Sequence, residues 1–351
     1  MNSQKEKSIL WINYLKAISI IGVFFVHCNL YYGYDMHGVN TFIHPFYVNA
    51  FFFVSGYLLF RKQLSEPLIS QNFSDYLFNG GKTLLLNIVF RLMIPSTLFA
   101  AIEFLPSHLL RGLAFNIDTL LYKTIGGCTY WFTSALVVAE ILILIMLVSR
   151  VKNIWFYFVG CCTLFIVGLC IVQSEYSLFV KYPSFPWQYK NGLYAMIFLA
   201  FGGVYWKLEN SIKPLMKGYL VGVLCILYVL LLVIWPNHFK VFVSILDMNF
   251  AGVLLSLLAT VSLIEICKRL PMHNVLNNIG QNTIGFYFMS GALPIVLSMV
   301  VHKVMPENNA IGAAIIFIGS MSIGYVVVYL INRYVPWMFD LRVLWKKTTT
   351  R

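Results

Sequence analysis

The sequence predicts an all-α, polytopic membrane protein of about ten transmembrane helices, with both termini cytoplasmic. Three observations carry that prediction. The 351-residue chain is 60% hydrophobic and only 11% charged, where a soluble domain carries about 25% charged residues. Its apolar residues gather in ten runs, each near the ~20 residues that a helix needs to cross a bilayer. Its Lys and Arg residues divide unequally between alternate connections, as they do in a chain of fixed orientation. A mean hydropathy of +0.78 agrees.

The runs are 9–33, 44–61, 84–104, 131–149, 153–173, 190–207, 217–235, 241–268, 283–302 and 311–334. The first has no small-residue cleavage site and is expected to stay as a helix. The eighth is interrupted by Asp247 and Asn249. Segment 105–130 is apolar in places but broken by Pro106, Arg111 and its glycines, and reads as an interfacial or re-entrant loop. With the N-terminus inside, seventeen of the 25 Lys and Arg residues fall in inner segments. Arg111, Lys123, Lys181, Lys190, Lys240 and Lys303 fall outside, and Lys16 and Arg91 lie within spans. Trp11, Trp131, Trp155, Trp187, Trp206 and Trp235 sit near span ends, as an aromatic belt does.

The whole chain, 1–351, is thus one membrane domain with cytoplasmic tails at 1–8 and 336–351. No repeat or low-complexity linker is visible. The net charge of +12 sits in short connections, so it reads as a topology signal and not as a nucleic-acid surface. The seven cysteines fall mostly in spans and form no CxxC pair, which suits packing. The seven histidines lack ligand spacing, so no metal is expected. Gly-rich phosphate loops are absent from the sequence.

Two costly residues share the first run. From Lys16 to His27 is eleven helical steps, a net rotation of roughly 20° and a rise of roughly 16 Å. Both side chains therefore share one face, Lys16 in the inner half and His27 in the outer third. Either alone has a bland reading: a histidine hydrogen-bonded in helix packing, a lysine snorkelling inward. As a pair on one face they point to a lumen within the bundle. Further polar groups lie at matching depths. Arg91 is level with Lys16, Glu103 with His27, Glu140 is near the midplane, and Asp247 is near the outer end of the eighth span. Glu265, at the inner end, reads as a solvated terminus.

The chain resembles the acyltransferase 3 family over about residues 9–335. Lys16, ten residues and His27 fit the first-span pattern, with Lys where the family usually has Arg. "FFFVSGYLLF" (51–60) is similar to its FF-x-x-SG signature. "FRLMIP" (90–95) resembles its Arg-x-x-x-Pro run, through Arg91 and Pro95, with Ile88 where a second Arg is frequent. "TYWFTSAL" (129–136), "FLAFGGVYWK" (198–207) and "IGQNTIGFYFMSG" (279–291) resemble later motifs, with Ser290 where His is common.

The resemblance implies an integral enzyme of the cytoplasmic (inner) membrane. It would move an acyl group, acetyl or succinyl, from cytoplasmic acyl-CoA to a hydroxyl of an envelope sugar, glycolipid or polysaccharide. His27 would be the base or polariser, since its ordinary pKa lies near working pH. Lys16 and Arg91 would hold acyl-CoA, with acetyl-CoA the expected donor, although Lys cannot grip bidentately as Arg does. Glu103 or Glu140 would orient His27 or bind the acceptor. Ser55 and Gly56 suit close helix contact, and Trp131 suits an interfacial anchor. A transporter or glycan exporter would also place Lys, His, Arg and Glu inside a bundle. A sensor or scaffold with decayed catalytic residues is the third reading.

Overall fold

The computed structural model describes residues 2–34, 36–64, 73–110, 115–174, 185–234 and 250–344. Among them every regular element is helical. Helix α1 is Asn2–Tyr32, α2 is His37–Ile43 and α3 is Asn49–Gln63. The third predicted run lies in a long helical stretch that passes through π register twice. It comprises α4 Phe73–Tyr76, a π-helical turn Leu77–Gly81, α5 Lys82–Asn87, a π-helical segment Ile88–Met93 and α6 Ile94–Leu110. Then come α7 Ile117–Lys123, α8 Trp131–Leu147, α9 Ile154–Gln173 and α10 Tyr189–Ile212. Next are α11 Gly218–Ile234, α12 Phe250–Cys267, α13 Asn274–Gln281, α14 Thr283–Val304 and α15 Ala310–Tyr334. A 3₁₀ turn, Pro336–Met338, follows.

A helix occupies each of the ten predicted runs. By length and composition alone, five stretches are long and apolar enough to cross a membrane: Leu10–Tyr32, Ser74–Phe104, Ile154–Val172, Thr283–Val304 and Ala310–Tyr334. Helices α8, α11 and most of α12 are shorter apolar ones. The third run starts well before the predicted residue 84, because Asp75, Asn79 and Lys82 lower its hydropathy but sit exposed on the helix surface. Residues 241–249, with Asp247 and Asn249, lie outside the described residues, as do Arg111, Lys181, Trp235 and Lys240. In segment 105–130 the helix continues to Leu110, and a second short helix, α7, is capped by Asn116, whose side chain accepts from Asp118 N–H at 2.8 Å.

The described residues group into two compact units. The first comprises residues up to 51, with 213–234 and 250–335. Here α1 packs against α12, α13, α14 and α15, burying Tyr14, Leu15, Ala17, Ile20 and Phe24 completely. Its inner end is clamped by Asn13 Nδ2–H to Asn277 Oδ1 at 2.8 Å and by the Tyr14 hydroxyl to the Pro271 carbonyl at 2.8 Å. Its outer end is held by the Tyr32 hydroxyl, which donates to the Glu307 carbonyl at 3.1 Å. These bonds fix the rotation of the face that carries Lys16 and His27.

Glu265 corrects the solvated-terminus expectation. Its side chain is 6% exposed and pairs with Lys268 at 3.2 Å and Arg269 at 3.0 Å. The partners are local, three and four residues on, but the cover is not: Lys268 lies over the Trp11 ring of α1.

The second unit comprises the described residues of 52–212 and 336–344. Helix α10 packs on α8 and α9. A Cβ at Gly56 would land on the Leu199 carbonyl oxygen, and one at Gly202 on the Phe53 carbonyl oxygen. The expectation that Gly56 permits close helix contact is met, and α3 and α10 approach through both glycines. Residues 336–344 dock on the third-run helix. Phe339 stacks on Phe99 at 5.5 Å, and Leu341 N–H donates to the Phe90 carbonyl at 3.2 Å.

Candidate functional site

His27 is half-buried on α1, and its Nδ1 lies 2.8 Å from the backbone oxygen of Ser290 on α14. A carbonyl oxygen can only accept, so Nδ1 carries the proton. In the neutral ring Nε2 then carries the lone pair. The carbonyl is available because Pro294, inside α14, has no N–H to return to residue 290 four positions earlier. The Ser290 hydroxyl is directed elsewhere, donating to the Tyr287 carbonyl at 2.8 Å. A partner on Nδ1 holds the imidazole plane and aims Nε2, as the acidic member of a hydrolase triad does. Here the partner is neutral, worth about 0.5–1.5 kcal/mol net. Lys16 is half-buried on the same face of this helix, roughly 16 Å inward.

A second proline shapes the other cation. Ile94 N–H bonds the Val89 carbonyl, five residues back, and Pro95 again has no N–H. In this π register the Phe90 carbonyl has no helical donor, and Leu341 N–H supplies one. Arg91 sits on this segment with its side chain exposed. Its charge acts on Glu140 of α8 and on Asp340. Burial works to raise the Asp340 carboxyl, but hydrogen bonds and charge from Arg342, with the charge of Arg91, outweigh it. The group is held below the ordinary carboxylate range. Arg342 also bonds Asn87, tying this corner together.

Glu103, on α6, accepts a hydrogen bond from the Tyr130 hydroxyl at 2.8 Å. Beside that pair the second unit holds a cavity of about 160 Å³, whose lining includes Thr97, Lys123, Gly127, Tyr130, Ser134 and Trp187. Its rim is strained. Trp187 and Gln188 are both left-handed, with φ of 46° and 54°, each costing on the order of 1–3 kcal/mol. Gly127, at φ 72°, has no room for a Cβ, which would meet Ser134 Oγ and the Trp187 ring. Two bonds hold the tryptophan: its N–H to the Gly126 carbonyl at 3.0 Å and its Nε1–H to the Ile125 carbonyl at 2.8 Å.

Of the residues singled out from sequence, Lys16 and His27 fall in the first unit, and Arg91, Glu103 and Glu140 in the second. The structure joins Arg91 electrostatically to Glu140, joins Glu103 to Tyr130, and puts the Ser290 carbonyl on His27 Nδ1. Trp131 lies against Phe132. Sequence reasoning took Ser290 only as a departure from the family pattern and Trp187 only as a belt residue, and it passed over Pro294. A proline four residues after a motif position signals a free carbonyl, so Ser290 and Pro294 were findable. Compared with known proteins, the chain matches the acyltransferase 3 family model, an acyltransferase domain, over residues 9–333. No curated protein and no solved structure matches it.

Proposed function

The chain belongs to the acyltransferase 3 family, and on that premise we propose that it moves an acyl group, acetyl or succinyl, from cytoplasmic acyl-CoA to a hydroxyl of an envelope sugar, glycolipid or polysaccharide. It is a multi-pass membrane acyltransferase; the donor, the acceptor and the inner-membrane location are the proposal. The observation that carries it is the His27 Nδ1–H bond to the Ser290 carbonyl, which leaves Nε2 as a directed base.

In this reading Nε2 takes the proton of the acceptor hydroxyl as its oxygen attacks the thioester carbonyl. The new C–O bond forms and the C–S bond breaks. The CoA thiolate leaves and is protonated by the imidazolium, which returns to its neutral form. The Ser290 carbonyl steadies the charged ring in between. Such base catalysis is worth about 10²–10⁴-fold. Lys16 and Arg91 are assigned to the donor, whose phosphates and carbonyl need cations or hydrogen-bond donors. Glu103, which accepts from the Tyr130 hydroxyl, or Glu140 is assigned to binding the acceptor or orienting His27.

Glycan analysis of cells carrying His27→Ala beside wild type tests the reading. Loss of one envelope ester at equal protein level supports it and names the acceptor. Unchanged acylation removes His27 from the mechanism.

A further inference from the structure

We propose that the cavity beside Trp187 is a saccharide subsite that takes one pyranose ring of the acceptor. It rests on the acyl-transfer reading for its purpose, but not for its binding chemistry. Size comes first: a cavity of about 150 Å³ accommodates one benzene ring, and this one measures about 160 Å³. That encloses one six-membered ring with its hydroxyls directed to the lining and the mouth, and it is too small for a nucleotide.

Chemistry comes second. A pyranose has an apolar C–H face and a polar edge of hydroxyls. The Trp187 indole supplies the flat apolar wall, with its only polar atom already bonded to Ile125. Around the rest stand Thr97, Ser134 and Tyr130 hydroxyls and the Lys123 ammonium. Tyr130 donates to Glu103. Among the described residues Lys123 pairs with no carboxylate. It lies over the Phe104 ring at 5.8 Å with donors to spare.

The backbone supplies the third argument. Two consecutive left-handed non-glycine residues at the rim persist only where surrounding bonds enforce them, and such strain gathers at ligand clamps. Here it poses Trp187 across the cavity. The Lys and Arg count puts Lys123 and Trp187 on the outer side, where an envelope sugar would be presented.

Saturation-transfer NMR on the full-length protein, in a detergent without a sugar headgroup, tests this. The probes are the methyl pyranosides of glucose, galactose, mannose, rhamnose and N-acetylglucosamine, with dimethyl phosphate as the lipid-headgroup stand-in. At least one pyranoside should receive saturation from wild type, with at least a fivefold loss in both Trp187→Ala and Lys123→Met. Lys123→Met carries the test if Trp187→Ala folds poorly. Pyranosides that receive none, signals that survive both substitutions, or transfer to dimethyl phosphate alone would overturn the subsite. Turnover of acetyl-CoA and of succinyl-CoA on the same wild-type sample separates the two readings. Sugar contact without turnover defeats acyl transfer and leaves the subsite standing.

Discussion

Pro294→Ala gives back the N–H that α14 lacks. That N–H can reach the Ser290 carbonyl, which now accepts from His27 at 2.8 Å. The oxygen has two lone pairs, so the histidine bond weakens in competition. If it is lost entirely, the orienting term is about 0.5–1.5 kcal/mol, or about two- to twelvefold in the population of the productive tautomer. The expected outcome is a kcat lower by up to about tenfold with KM for acetyl-CoA unchanged. Stability should not fall with it, since removing an interior helix proline relieves a cost of about 3 kcal/mol. That gain offsets the packing of the buried ring. Steady-state kinetics, thermal unfolding and ¹⁵N-histidine NMR measure the three together. Nδ1 should change from mostly protonated to a more even tautomer mixture. Wild-type kcat with an unaltered tautomer refutes the reasoning.

Gly202→Ala should lower stability by about 1–3 kcal/mol through overpacking against the Phe53 carbonyl, read as a lower Tm; an unchanged Tm would mean that α3 and α10 are not in close contact. Glu265→Gln strips the carboxylate from Lys268 and Arg269, whose side chains are 22% and 41% exposed. Because water reaches both cations, the loss should be about 1–3 kcal/mol and not the larger cost of a stranded buried charge. Denaturant titration checks it, and no loss would mean that the cluster is not formed. Asp340, held below its ordinary value by Arg342, stabilises the fold above its unfolded pKa of about 4, and that stability is lost as pH falls through the lower folded value. Asp340→Asn should therefore lower Tm at pH 7, with a gap that closes as the pH falls below about 4. A gap independent of pH contradicts the pairing.

The helices were legible because the bilayer leaves the chain little choice: apolar runs of this length become helices. The π segment Ile88–Met93 was not, since it precedes Pro95 and leaves the Phe90 carbonyl to the docked residue Leu341. Glu265 looked solvated because its cations are local in sequence, whereas Trp11, the ring beneath its partner Lys268, is more than 250 residues away. His27 was found from its cost in hydrocarbon. Its partner was half-visible: Pro294 marks the free carbonyl of Ser290, but nothing in the sequence says that α14 lies beside α1. The substitution of serine for the family's common histidine at 290 drew attention to a side chain, while it is the backbone oxygen of that residue that meets His27. Trp187 passed as a belt residue because its left-handed backbone depends on bonds to Ile125 and Gly126, some sixty residues earlier.

The central claim is that the imidazole at 27 is the proton acceptor in acyl transfer. Turnover of radiolabelled acetyl-CoA by membranes holding equal amounts of wild-type and His27→Gln protein tests it most directly. The account predicts a loss of at least about a hundredfold in the variant, with acetyl-CoA binding retained. Equal turnover in the two would contradict it.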